Sequence, residues 1–144
     1  MLKTCDKKRK SAMKTLLGAC GVFFAGVVCA LAGPEGDYAV TGTNPGANGT
    51  YRGSVSVRQT GETYEVIWDI AGTRYTGSAL GAAPVKGRSM MGPADAGDDT
   101  LAVGYISGRS FGLAFYVEQD DGTWKGVWTY GGSDKIGTEV WTPK

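Results

Sequence analysis

From Tyr51 onward, apolar and polar side chains alternate in short runs. In Tyr51 to Arg58, Tyr51, Gly53, Val55 and Val57 fall on one face, and Arg52, Ser54, Ser56 and Arg58 on the other. Thr63 to Ile70 repeats the arrangement, with Tyr64, Val66, Trp68 and Ile70 opposite Glu65 and Asp69. Successive strand side chains point to opposite faces, so a period of two predicts strands with one buried side. In Phe111 to Glu118 the heavier apolar set is Phe111, Leu113, Phe115 and Val117, which makes that face the expected buried one. Gly112, Ala114, Tyr116 and Glu118 lie opposite. Trp124, Gly126, Trp128 and Tyr130 then alternate with Lys125, Val127 and Thr129.

Four further runs read as strands: Asp37 to Gly42, Thr73 to Leu80, Leu101 to Ser107 and Ile136 to Trp141. Between them stand turn formers such as Thr60-Gly61-Glu62, Ala71-Gly72, Gly108-Arg109-Ser110, Asp120-Asp121-Gly122 and Gly131-Gly132-Ser133. Gly81 to Thr100 breaks the rhythm with two prolines, several glycines and the acids Asp95, Asp98 and Asp99. A short strand is expected around Arg88 to Met91, and the remainder reads as a long loop. The fold predicted is all-β: an antiparallel meander of about eight strands closing as a small barrel. A two-sheet β-sandwich is the alternative, since either hides the strand edges. Inward Gly53, Gly77 and Gly126 would make room for Trp68, Trp124 and Trp128. The outward Arg52, Ser54, Ser56 and Arg58 argue against a lipid-facing barrel.

A shift of sixty places superposes Tyr51 on Phe111, Val57 on Val117, Gln59 on Gln119, Tyr64 on Trp124, Trp68 on Trp128 and Gly77 on Gly137. This predicts two similar meander halves.

The first 32 residues are of another kind. Lys3, Lys7, Lys8, Arg9, Lys10 and Lys14 precede an apolar run from Thr15 to Val28, and Ala30-Leu31-Ala32 has the small-x-small form of a cleavage site. Residues 1–32 therefore read as a secretory signal peptide, and 33–144 as one exported domain, periplasmic or extracellular. The run is short for a spanning helix, so no membrane span is expected after cleavage. Cys5, Cys20 and Cys29 all lie in this leader. The domain would have no disulfide, no thiolate nucleophile and no Cys–metal site. The whole chain has no histidine, which removes the commonest general base and the commonest metal ligand. Taking six basic residues and one acid from fifteen and fourteen leaves nine and thirteen, a net charge of −4. Such a domain is not a nucleic-acid binder.

Asp95, Asp98 and Asp99 do not have calcium-loop spacing and read as a solvated acidic loop. Glu65 and Asp69 share a strand face and read as solvent-facing. No residue set points to a catalytic site, a metal or a cofactor, and an enzyme using Asp or Glu is the weakest reading. Tyr64, Trp68, Trp124, Trp128 and Tyr130 are candidates to line an aromatic pocket, and are equally what a packed core would use. Tyr116 and Trp141 fall opposite their strands' apolar sets, which makes them candidates for an exposed contact surface.

Several stretches also resemble a group of small exported bacterial proteins, many of them labelled fibronectin-binding protein. They are Tyr38-x-Val40-x-Gly42-Thr43-Asn44-Pro45-Gly46, Tyr51-Arg52-Gly53, Gly61-x-x-Tyr64-x-Val66-x-Trp68, Leu101-Ala102-Val103-x-Tyr105, Gly112-Leu113-Ala114-x-Tyr116 and Asp121-Gly122-x-Trp124-x-Gly126-x-Trp128. The resemblance implies an exported, non-enzymatic binding or surface-interaction module with an extracellular protein as partner. It assigns no binding residues. The alternative from the inward aromatics is a carrier of a small apolar ligand in a pocket lined by Trp68, Trp124 and Trp128 with Tyr64, while Tyr116 and Trp141 complete the candidate binding residues on the contact surface.

Overall fold

A computed structural model describes residues 33–144. The segment read as a leader, with its three cysteines, lies outside the described residues. The domain consists of nine strands: β1 (Gly36–Thr43), β2 (Thr50–Thr60), β3 (Thr63–Ile70), β4 (Thr73–Val85), β5 (Arg88–Gly92), β6 (Thr100–Ser107), β7 (Ser110–Glu118), β8 (Trp124–Tyr130) and β9 (Gly137–Pro143). Every pairing is antiparallel. Around the wall the order is β1, β2, β3, β4, β6, β7, β8 and β9, and β9 returns to pair with β1 from Thr43↔Thr138 to Tyr38↔Pro143. The eight-stranded barrel is thus closed, and the sandwich alternative does not apply. Consecutive strands are neighbours because short hairpins connect nearly all of them.

The ninth strand comes from the stretch that breaks the sequence rhythm. β4 does not stop at Leu80. Past the end of its pairing with β3 it takes β5 as partner, from Gly81↔Gly92 to Val85↔Arg88, while Gly81 and Ala82 still pair with β6. Lys86 (φ 49°) and Gly87 (φ 76°) make the tight turn, both in the left-handed region that a two-residue hairpin requires. Residues 93–99 then fold over one end of the barrel. Ala94 N–H donates to Glu62 O (2.9 Å), and Asp99 N–H to Ala82 O (3.0 Å). Asp98 is buried and accepts the Tyr64 hydroxyl at 2.7 Å and Asp95 N–H at 2.9 Å. A Cβ on Gly81 would run into the Asp98 carboxylate, so the cap seats only over a glycine. Asp98 is therefore not part of a solvated acidic loop. It ties the loop to the barrel.

Beneath that cap the interior is packed. Val40, Val55, Val57, Tyr64, Val66, Leu101, Val103, Trp124 and Trp141 are each at most 2% exposed. Two expectations about faces are corrected here. Phe111, Leu113, Phe115 and Val117 point outward, and Gly112, Ala114 and Tyr116 point inward. Tyr116 (1% exposed) and Trp141 (0%) are core, not contact surface.

The cause for β7 is register. The β2–β3 hairpin pairs Gln59 with Tyr64, five places on, whereas the β7–β8 hairpin pairs Glu118 with Trp124, six places on. Asp120-Asp121-Gly122 turns the chain as expected, with Gly122 at φ 76°. The connection nevertheless occupies residues 119–123, closed by Gln119 N–H to Thr123 O at 2.7 Å. A one-residue slip sends every side chain of a strand to the other face. Trp128 consequently pairs with Ala114, where the sixty-residue repeat would put Phe115. The repeat keeps its inward faces for Tyr64 and Trp124, Trp68 and Trp128, and Gly77 and Gly137. It inverts them for Tyr51 against Phe111 and Val57 against Val117. For β9 the inward set is Gly137, Glu139 and Trp141, while Ile136 is 64% exposed. An inward acid hid that pattern.

The outside of the barrel is two-sided. Around β2 it carries arginines and serines. Across β6, β7 and β8 it exposes Ile106, Phe111, Leu113, Phe115, Val117 and Val127. The polar side that a lipid-facing wall would not have spans β2 and β3, where Arg52, Arg58, Glu65 and Asp69 point outward.

Inward glycines face inward rings. Gly42 pairs with Tyr51, Gly112 with Tyr105, Gly126 with Tyr116 and Gly137 with Trp128, and in each pair a Cβ on the glycine would collide with its partner's ring or hydroxyl. Gly112→Ala should therefore destabilise the domain by about 1–3 kcal/mol in urea melts, the usual cost of overpacking. Gly104, on the neighbouring strand but pointing out with nothing within 4 Å, serves as the control. Gly104→Ala should leave the midpoint unchanged or slightly raised.

Candidate functional site

One cross-strand row runs Tyr51, Gly42, Glu139, Gly126, Tyr116 through β2, β1, β9, β8 and β7. The glycines flanking Glu139 lack side chains, so each tyrosine lies across a glycine and reaches the carboxylate from its own side. Tyr51 donates its hydroxyl to Oε1 at 2.8 Å, and Tyr116 donates its hydroxyl to Oε2. Two indoles complete the set: Trp141 Nε1–H donates to Oε2 at 2.8 Å and Trp68 Nε1–H at 3.2 Å. Glu139 is 4% exposed. A buried carboxylate is costly unless its oxygens are hydrogen-bonded, and four neutral donors meet that need here.

Above this floor the barrel is hollow. A cavity of about 350 Å³ lies between Glu139 and the uncapped end, where Asn44, Ala71 and Thr73 form part of the rim. Its wall is mainly aromatic: Tyr51, Trp68, Tyr75, Tyr105, Trp128 and Tyr130. Neighbouring rings meet edge to face, with interplanar angles from 64° to 80° and centroids 4.9–6.2 Å apart. That geometry sets the positive edge of one ring against the negative face of the next and holds the rings to the wall. Trp128 Nε1 is buried with no hydrogen-bond partner among the described residues.

The residues singled out in the sequence divide between the two ends. Trp68, Tyr116 and Trp128 line the cavity, and Tyr130 stands at its mouth, 37% exposed. Tyr64 and Trp124 are buried at the packed end, and Tyr64 is occupied by Asp98. Trp141 packs behind the floor against Tyr116, with ring centroids 3.9 Å apart. Glu139, Tyr51, Tyr75 and Tyr105 are the additions. Of these, Tyr51 could have been found from its pairing with a glycine. Glu139 gave no signal, because one acid in a strand ordinarily marks the solvent face.

The tyrosines carry a pH signature. Burial first, then the negative charge of Glu139, raises the hydroxyl pKa values of Tyr51 and Tyr116 above the usual 10. Burial likewise raises Tyr64 and Tyr105, and it pushes Tyr38 up to about 12. A phenol whose folded pKa exceeds its unfolded value keeps its proton longer in the native state. Its contribution is complete below about pH 10 and is lost as pH rises through the folded values. The urea midpoint should therefore not fall through tyrosine ionisation between pH 7 and 9, and should drop steeply above pH ~10. Absorbance at 295 nm should show these phenols ionising only as the domain unfolds.

The chain matches no protein-family model, and no curated protein matches it.

Proposed function

We propose that this protein is an exported, non-enzymatic binding protein that holds a small molecule in the uncapped end of its barrel. The observation that carries this reading is the cavity of about 350 Å³. A small domain without a disulfide among its described residues gains stability by filling its interior. Here large side chains are present, but glycines let them lie along the wall and leave space between them. Clefts of a few hundred Å³, mostly apolar with a few placed polar groups, are typical of ligand sites. The Glu139 carboxylate is such a group.

The other reading, a protein-contact module, draws support from the outer face of β6–β8. Phe111 (61% exposed), Leu113 (66%) and Phe115 (47%) stand there side by side in sequence alternation, and exposed apolar patches mark interaction surfaces. The resemblance makes fibronectin the partner to titrate, beside an unrelated matrix protein. Specific binding lost in Leu113→Ser would support a contact module. Equal weak signals for both proteins would end it.

For the cavity reading, a calorimetric screen of small ligands against residues 33–144 should find saturable binders. Trp124→Ala removes a packed ring and should cost about 3–5 kcal/mol. Trp128→Ala removes a partly exposed ring that already faces open space, so it should cost less than about 3 kcal/mol and abolish ligand binding. If Trp128→Ala binds as the wild type does, the cavity is not the site.

A further inference from the structure

We infer that the barrel takes a small organic cation, an ammonium compound, whose charge rests between the aromatic wall and Glu139. The inference rests on the cavity reading above and adds the class of ligand. Its basis is electrostatic. Glu139 is the one charged side chain lining the cavity, and no lysine or arginine lines it among the described residues. Its four partners, two phenols and two indoles, are neutral donors. They hydrogen-bond the carboxylate without cancelling its charge. Glu139 itself is buried, so its charge is less screened than one at the surface.

The two oxygens are unequally used. Oε2 accepts three hydrogen bonds and Oε1 accepts one, from Tyr51. A carboxylate oxygen accepts about two. Oε1 thus retains acceptor capacity on a residue that lines the cavity. The wall acts in the same sense. Each ring presents a negative π face, and cations are drawn to rings of Trp and Tyr within about 6 Å. Tyr51, Trp68, Tyr105 and Trp128 surround the space above the carboxylate. An anion would meet the negative faces and the carboxylate together, and a neutral ligand would gain only burial.

Three probes of one shape and different charge test this by calorimetry on residues 33–144: choline, its neutral analogue 3,3-dimethylbutan-1-ol, and the anion 3,3-dimethylbutanoate. Choline should bind about tenfold or more tightly than the alcohol, and the anion should give no measurable heat. Glu139→Gln should narrow the gap between choline and the alcohol, leaving only what the rings contribute. If that variant fails to fold, Trp128→Leu keeps an apolar wall without the π face and should narrow the same gap. Choline binding no more tightly than the alcohol in the wild type would overturn the cation inference and leave the cavity reading standing. No binding of any probe, together with an empty ligand screen, would remove both.

Discussion

The structure turns on one row of residues, Tyr51, Gly42, Glu139, Gly126 and Tyr116, laid side by side across five strands. A carboxylate inside a small barrel is a liability unless every nearby dipole is aimed at it. The flanking glycines make that aim possible. A side chain at Gly42 or Gly126 would occupy the space the tyrosine rings cross, and neither hydroxyl could reach Glu139. Trp68 approaches the same oxygen from β3, and Trp141 from two residues further along β9. The row joins β1, β2, β7, β8 and β9 through side chains as well as through the backbone ladder, and it divides the interior in two.

The halves are built differently. On the capped side, valines, Leu101, Tyr64 and Trp124 fill the space, and Asp98 locks the covering loop. That half supplies the burial that stabilises a domain whose described residues include no disulfide. On the other side the rings stand against glycines and against one another's edges, and the middle stays open. Under the proposed function, stability falls mainly to one end of the barrel and binding to the other.

Much of the architecture was legible in the sequence. Alternation in Tyr51 to Arg58 and Thr63 to Ile70 predicted the right faces, and the turn residues located nearly every hairpin. The faces of β7 were not legible, because they depend on whether the hairpin spans five residues or six, which Asp120-Asp121-Gly122 does not settle. A heavier apolar set then favoured the wrong side: Phe111, Leu113 and Phe115 outweigh Gly112, Ala114 and Tyr116 by hydrophobicity, yet the glycine is what the packed ring of Tyr105 requires. Glu139 was invisible for a related reason. Its inward direction depends on three donors on three other strands, Tyr51, Trp68 and Tyr116, which no spacing within β9 encodes; only Trp141 lies on its own strand. The stretch after Leu80 gave only part of its pattern, since at Gly81 β4 exchanges β3 for β5 on one side while still paired with β6 on the other.

The central claim is that one end of the barrel is a binding cavity and the other a packed core. The four indole N–H protons divide between these ends, which makes them direct reporters. In a proton–nitrogen correlation spectrum titrated with choline, the Trp128 and Trp68 indole signals should shift saturably along one binding curve, while that of Trp124 stays in place. With choline shown by calorimetry to bind, four unmoved signals, or four moving together, would contradict the division of the interior into an open and a packed end.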